Sequence, residues 1–227
     1  FVYVQNKWKY IGDEWNCCEE KCVNKRPNFF CSNGNGFVKI NNDIIIKYIN
    51  CRNENENIWS NNLTETSQNC LNCANYSLFY FEIKIKKELN SEIDIGLKNF
   101  NLNIYFCLES GYIFYIDNTL NINKNIYIST FSLNNEDICG CGLVYPPLNN
   151  TINKPYIFFT KNGNKIGKSI LLKENYEYLQ PYVLLKLCSV EANFGANLNS
   201  NPFIYDISKC YVSEEFYGEE ELINEEN

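Results

Sequence analysis

An all-β fold, a two-sheet antiparallel sandwich, is what this 227-residue sequence predicts, on three observations. Only three Ala and no Met stand beside abundant Ile, Tyr, Phe and Val, a balance that disfavours helices and favours strands. Alternating apolar and polar residues dominate from residue 76 onward. Turn-forming residues punctuate those runs at a spacing of about 8–12 residues, with no helical period between them.

In chain order, GFVKI (36–40) and IIIKYI (44–49) read as the first strands, and ENENIWSNNLTETSQN (54–69) as a polar loop. Phe79, Phe81, Ile83 and Ile85 then alternate with Tyr80, Glu82, Lys84 and Lys86, the period of a half-buried strand. Ile93, Ile95 and Leu97 alternate with Glu92, Asp94 and Lys98 in a second strand, and GYIFYID (111–117) forms a third. YIFFT (156–160) and KIGKSI (165–170) flank Lys161-Asn162-Gly163-Asn164, where Asn-Gly supplies the positive φ angles of a tight hairpin. YVLLKL (182–187), the alternation Val190, Ala192, Phe194, and PFIYDI (202–207) complete the expected strands.

Three regions follow. Residues 1–75 hold seven of the twelve Cys and lack a core-sized apolar set, so they read as a Cys-rich N-terminal extension packed on the sandwich. Residues 76–212 form the sandwich. Residues 213–227 carry seven Glu and no basic residue, and are expected to be a solvated, disordered acidic tail.

The formal charge is −7, from 20 basic and 27 acidic residues; without the tail the two signs balance at 20 each. A nucleic-acid partner is therefore not expected, since phosphate binding needs a basic footprint. No His occurs, which excludes Ser-His-Asp and Cys-His chemistry and removes the commonest general base and metal ligand. No apolar run approaches the length of a membrane span. The 39 Asn and the excess of 18 Lys over two Arg fit A/T-rich codon usage better than a prion-like segment.

Twelve Cys is an even and dense set, and with a first residue other than Met it suggests a secreted chain with several disulfides. Pairing is not readable from spacing, and free buried thiols are the alternative. Cys70-Leu-Asn-Cys73 is one CxxC, but Cys17, Cys18 and Cys22 do not supply the regular second knuckle of a zinc module, so no metal and no cofactor is expected. Sequons at Asn62, Asn75 and Asn149 occur about as often as chance predicts in so Asn-rich a chain.

Residues 76–207 resemble a SPRY (B30.2-like) domain in six places in order. YFEIKI (80–85) looks like its opening strand, IDIGL (93–97) like the next, and GYIFYIDN (111–118) like its Gly-Tyr segment. DICGCGLVY (137–145) is similar to the G-x-x-I-G-C-G stretch, and IFFTKNGNKIG (157–167) to the F-F-T-x-N-G hairpin. VEANFG (190–195) with PFIYDI resembles the V-x-V-N-F-G and closing strand. Val144 and Tyr145 stand where the family commonly has Asp, and its tryptophans here are missing. More loosely, the Cys-rich extension resembles secreted SPRY-domain effectors of plant-parasitic nematodes.

The resemblance implies a bent, concanavalin-like antiparallel sandwich without catalytic activity, whose edge loops bind a peptide or protein partner. It maps partner contacts onto Tyr105, onto Lys186, Leu187 and Ser189, and onto the loop holding Asn61 and Asn69. A secreted, monomeric binding protein is thus the leading expectation. A lectin-like, carbohydrate-binding sandwich and a cytosolic SPRY adaptor are the alternatives. For a glycosidase, Glu92 and Asp94 share one strand face, but no further carboxylate pattern accompanies them.

Overall fold

The structure, a computed structural model, describes residues 37–41, 44–49, 76–99, 102, 104–109, 111–128, 131–147, 154–174, 176, 178–209, 215–218, 221 and 223–224. The described residues form eleven strands joined by turns and loops: β1 (Phe37–Asn41), β2 (Ile45–Ile49), β3 (Ser77–Asn99), β4 (Ile104–Glu109), β5 (Tyr112–Asp117), β6 (Ile122–Tyr127), β7 (Ile138–Tyr145), β8 (Tyr156–Lys161), β9 (Asn164–Leu171), β10 (Gln180–Asn193) and β11 (Ile223–Asn224), with one 3-10 turn at Ile207–Lys209. All paired strands are antiparallel.

Two long strands hold the sandwich together. The first part of β3, Ser77–Lys84, pairs with β7 and through it with β8 and β9, whereas Asp94–Asn99 pairs with β4 and through it with β5 and β6. β10 follows β3 along both parts, from Gln180 opposite Lys98 to Asn193 opposite Glu82. Two sheets are thus folded from one continuous ladder, which is the expected bent sandwich. The sequence suggested separate strands on either side of residues 87–91, but no Gly or Pro interrupts Lys87-Glu88-Leu89-Asn90-Ser91, so the ladder runs through. YVLLKL and VEANF likewise merge into one strand, with a register shift between Lys186 and Cys188 that leaves Leu187 outside the ladder.

The hairpin β1–β2 lies within the expected N-terminal extension and adds two strands to the sheet through Ile46 and Ile45 on β10. Between the sheets lies a core built from the inward residues of nearly every strand, among them Ile83, Ile85, Ile95, Phe106, Leu108, Ile113, Phe159, Val183, Leu185 and Val190. The β8–β9 turn is as the Asn-Gly pair predicts, with Asn162 and Gly163 at φ 47° and 80°. The Asn162 side chain ties this turn to β7, accepting from the Ile138 amide and donating to Asp137, both at 2.8 Å.

Cys107, Cys139, Cys141 and Cys188 are buried thiols that form no disulfide among the described residues. The disulfides expected from the cysteine count are not met by any of these four, which pack in central strands as small apolar side chains. Burial pushes the Cys139 thiol up to about 12. The other eight cysteines lie outside the described residues.

The glycines of the GCG stretch have a steric reason. Cys139 and Cys141 face the core, so Gly140 and Gly142 face outward, where a Cβ on Gly140 would meet Tyr80 and Thr160, and one on Gly142 the Phe158 ring. Tyr80 and Phe158 therefore lie flat over β7, stacked at 6.0 Å. Tyr205 and Phe216 pack on the same outward cluster from the C-terminal part of the chain.

PFIYDI differs from the strand expected. It forms no ladder, and its amides go to a buried carboxylate instead: Ile204 and Tyr205 donate to Glu82 at 2.9 and 2.8 Å, and Tyr80 Oη donates to it at 3.0 Å. Two backbone amides and a phenol converge on this one buried side chain, so Glu82 is the clasp of this segment. Glu82→Gln is expected to cost about 2–4 kcal/mol and to speed amide exchange at Ile204 and Tyr205 selectively. Unchanged exchange at those two amides would rule out the clasp.

In the stretch expected to be an acidic tail, the described residues make contacts. The amide of Ser169 donates to Glu215 O and that of Tyr217 to Ser169 O, both at 3.0 Å, Phe216 rests on Tyr156, and Lys168 pairs with Glu221 at 2.8 Å. The apolar Phe216 and Tyr217 interrupt the acidic run and give it something to bury.

Candidate binding face on the outward side of the β10-β3-β4-β5-β6 sheet

Strand register places the outward residues of this sheet in rows. Gln180, Lys98, Tyr105, Ile116 and Asn123 form one; Tyr182, Gly96, Cys107, Phe114 and Asn125 the next; Leu184, Asp94, Glu109, Tyr112 and Tyr127 the third. Neighbours within a row stand about 4.8 Å apart, and rows about 7 Å apart. The alternate residues of the same strands, such as Ile95, Phe106 and Ile113, fill the core.

The middle of the face is desolvated. Tyr182, Leu184 and Cys107 are buried in a cluster of their own, with Tyr105 and Phe114 half-buried against it. Around it the aromatics open to solvent: Tyr112 is 38% and Tyr127 59% exposed, with ring centroids 5.0 Å apart, and Phe114 lies 6.0 Å from Tyr112. Lys98 holds its ammonium over the rings of Tyr105 and Tyr182, 5.8 and 5.5 Å from their centroids.

Gly96 sits at the centre because β4 passes too close for anything larger. A Cβ there would overlap the carbonyl oxygen of Phe106 and lie 2.8 Å from Cys107 Cα, both backbone atoms.

The third row is acidic as well as aromatic. Asp94 is only 7% exposed, and its carboxylate makes no hydrogen bond or ion pair with the described residues. Burial, then Glu109 and Glu92, push its acid up to about 8. Burial and Glu92 also raise Glu109. Burial and the nearby Asp94 push the Tyr182 phenol well up.

Of the residues singled out from the sequence, Tyr105 lies on this face, half-buried on β4. Lys186 and Leu187 lie within β10 at its irregularity, not in a loop, and Ser189 follows on the same strand opposite Lys86. Tyr105 aligns through Lys98 with Gln180, nine residues from Ser189 along β10, a separation of about 30 Å. The structure does not bring those two together. Asn61 and Asn69 lie outside the described residues. Sequence reasoning missed Glu109, Tyr112, Phe114 and Tyr127 as a group; the alternation Tyr105, Cys107, Glu109 against Ile104, Phe106, Leu108 was the available signal.

Among the described residues no group of three or more His, Cys, Asp or Glu is arranged to hold a metal ion, and no helix is long and apolar enough to cross a membrane. No family model matches the chain, and no curated protein matches it. Among solved structures, a human SPRY domain is similar over 71% of this chain and 97% of its own, at 18% identity and a TM-score of 0.46. The binding domain of botulinum neurotoxin serotype G is similar over 69% of this chain and 41% of its own, at 12% identity and a TM-score of 0.33. The strand pairing sets the GCG stretch of β7 beside β8, whose Asn-Gly turn leads into β9, within the bent sandwich.

Proposed function

We propose that this chain is a non-catalytic binding module whose protein or peptide partner docks on the outward face of the β10-β3-β4-β5-β6 sheet. The observation that carries the reading is the pair Tyr112 and Tyr127, exposed beside the desolvated cluster of Cys107, Tyr182 and Leu184. Interfaces draw most of their energy from a few aromatic anchors that binding buries in a dry centre, and a partner covering this face would bury Tyr112 and Tyr127 in that way. Tyr105 belongs to the same face. The β10 residues Lys186, Leu187 and Ser189 are a second contact under this proposal and the loop holding Asn61 and Asn69 a third, and the density of cysteines favours a secreted setting.

The test is to pan phage-displayed random peptides against the full chain and to measure the selected peptides on variants. The double variant Tyr112→Ala/Tyr127→Ala is expected to bind them at least tenfold more weakly while keeping the wild-type circular dichroism spectrum. Weakening by Leu187→Asp alone would overturn the placement on this face. Selection of no peptide, with binding on a glycan array instead, would overturn the reading in favour of a carbohydrate-binding sandwich.

A further inference from the structure

We propose that the acidic end of this face, where Glu109 stands between Asp94 and Tyr112 with Tyr127 beyond, receives a lysine or arginine side chain of the partner. The inference rests on the binding reading above and adds the chemistry of what is bound.

Four observations converge on a cation. Asp94, Glu109, Tyr112 and Tyr127 occupy one row on four adjacent strands, a span of about 15 Å, which a basic side chain and its neighbours in an extended peptide would cover. Asp94 is more than nine-tenths buried, and neither it nor Glu109 has a cationic partner among the described residues. Ionised buried carboxylates are normally paired, and Asp94, which burial keeps protonated while it stands alone, would be ionised and paired by a cation seated beside it and Glu109. Tyr112 and Tyr127 offer exposed ring surface beside those carboxylates, the combination that attracts a guanidinium or ammonium. Finally, the chain already uses this chemistry two rows away, where Lys98 lies over Tyr105 and Tyr182. That lysine sits four residues from Asp94 along β3, about 13 Å, and leaves the acidic end open to an outside cation.

The experiment titrates the full chain, followed by amide NMR shifts, with acetyl-Gly-Arg-Gly-amide and with the same peptide carrying citrulline, the neutral isostere of arginine. The expected result is shifts at residues 94, 107–109, 112 and 125–127 with the arginine peptide, and binding at least tenfold weaker for the citrulline peptide and for Glu109→Gln. Equal binding of the two peptides, shifts confined to other regions, or no shifts in the millimolar range would overturn the inference. Its failure is distinct from failure of the binding reading. If displayed peptides lacking Lys and Arg still bind the wild type and lose affinity for the Tyr112→Ala/Tyr127→Ala variant, the face stands and the cation falls.

Discussion

Gly96→Ala is expected to destabilise the protein by about 3 kcal/mol or more, the upper end of overpacking costs, and to lower the melting temperature by roughly 6–12 °C. The added methyl would enter the Phe106 carbonyl oxygen and crowd Cys107 Cα. Neither atom can withdraw without opening the β3–β4 ladder, in which Gly96 and Cys107 are partners. Gly140 and Gly142 make a useful contrast: the atoms in the way there belong to the side chains of Tyr80, Thr160 and Phe158, which can rotate aside. The alanine variants at 140 and 142 should therefore lose less than the one at 96. Urea unfolding followed by circular dichroism measures all three, and a loss below about 1 kcal/mol at Gly96 would contradict the close approach of the two strands.

Asp94→Asn is expected to act in the opposite direction, and only where the acid is ionised in the unfolded chain. The folded-state acid, at about 8, lies far above its ordinary value of 3.8, so the folded protein holds a proton that the unfolded chain releases. The stability this proton confers is fully present below about pH 4 and is lost as pH rises through 8. Asn resembles the protonated acid and carries no charge to desolvate. The variant should match the wild type near pH 4 and exceed it by on the order of 6 kcal/mol near pH 9, at about 1.4 kcal/mol for each pH unit between 3.8 and 8. The groups that set the field are Glu109 and Glu92, with Tyr182 and Cys107 also packed close by. Parallel stability profiles for the two proteins between pH 4 and 9 would show that Asp94 is not held in this state. A residue that costs stability at neutral pH is what a site kept for binding is expected to contain.

Legibility in the sequence followed how cleanly polar and apolar residues alternate. Phe79–Lys86 and Ile93–Lys98 alternate cleanly and were readable, although Glu82 and Asp94 on their polar sides are buried, as was the Asn-Gly turn whose φ angles few other pairs adopt. β4, IYFCLE, carries apolar residues on both sides because Cys107 is buried on the outward face, so the period of two is blurred. β6, INKNIY, is blurred from the polar side, its three middle residues being Asn, Lys and Asn. PFIYDI has strand composition, yet Glu82 captures its amides, and a long-range side-chain acceptor leaves no local trace.

The candidate site was less legible than the fold. GYIFYID is aromatic on both faces, with Tyr112 and Phe114 outward and Tyr115 in the core, so alternation alone does not say which ring meets water. Tyr105 was reached through family resemblance, and the row containing Glu109 emerged only when register joined four strands.

The position of β10 sets the order in which this chain can close during synthesis. One edge of β3 is completed by β4 and β7, but the other waits for residues 180–193, more than eighty positions further along. Until those residues emerge, a 23-residue strand with Ile83, Ile85, Ile93 and Ile95 on its apolar side has an unsatisfied edge. Such late, non-local pairing makes for slow folding and for a nascent chain that depends on protection from aggregation. A ribosome stalled before Gln180 would present that edge to any neighbouring chain.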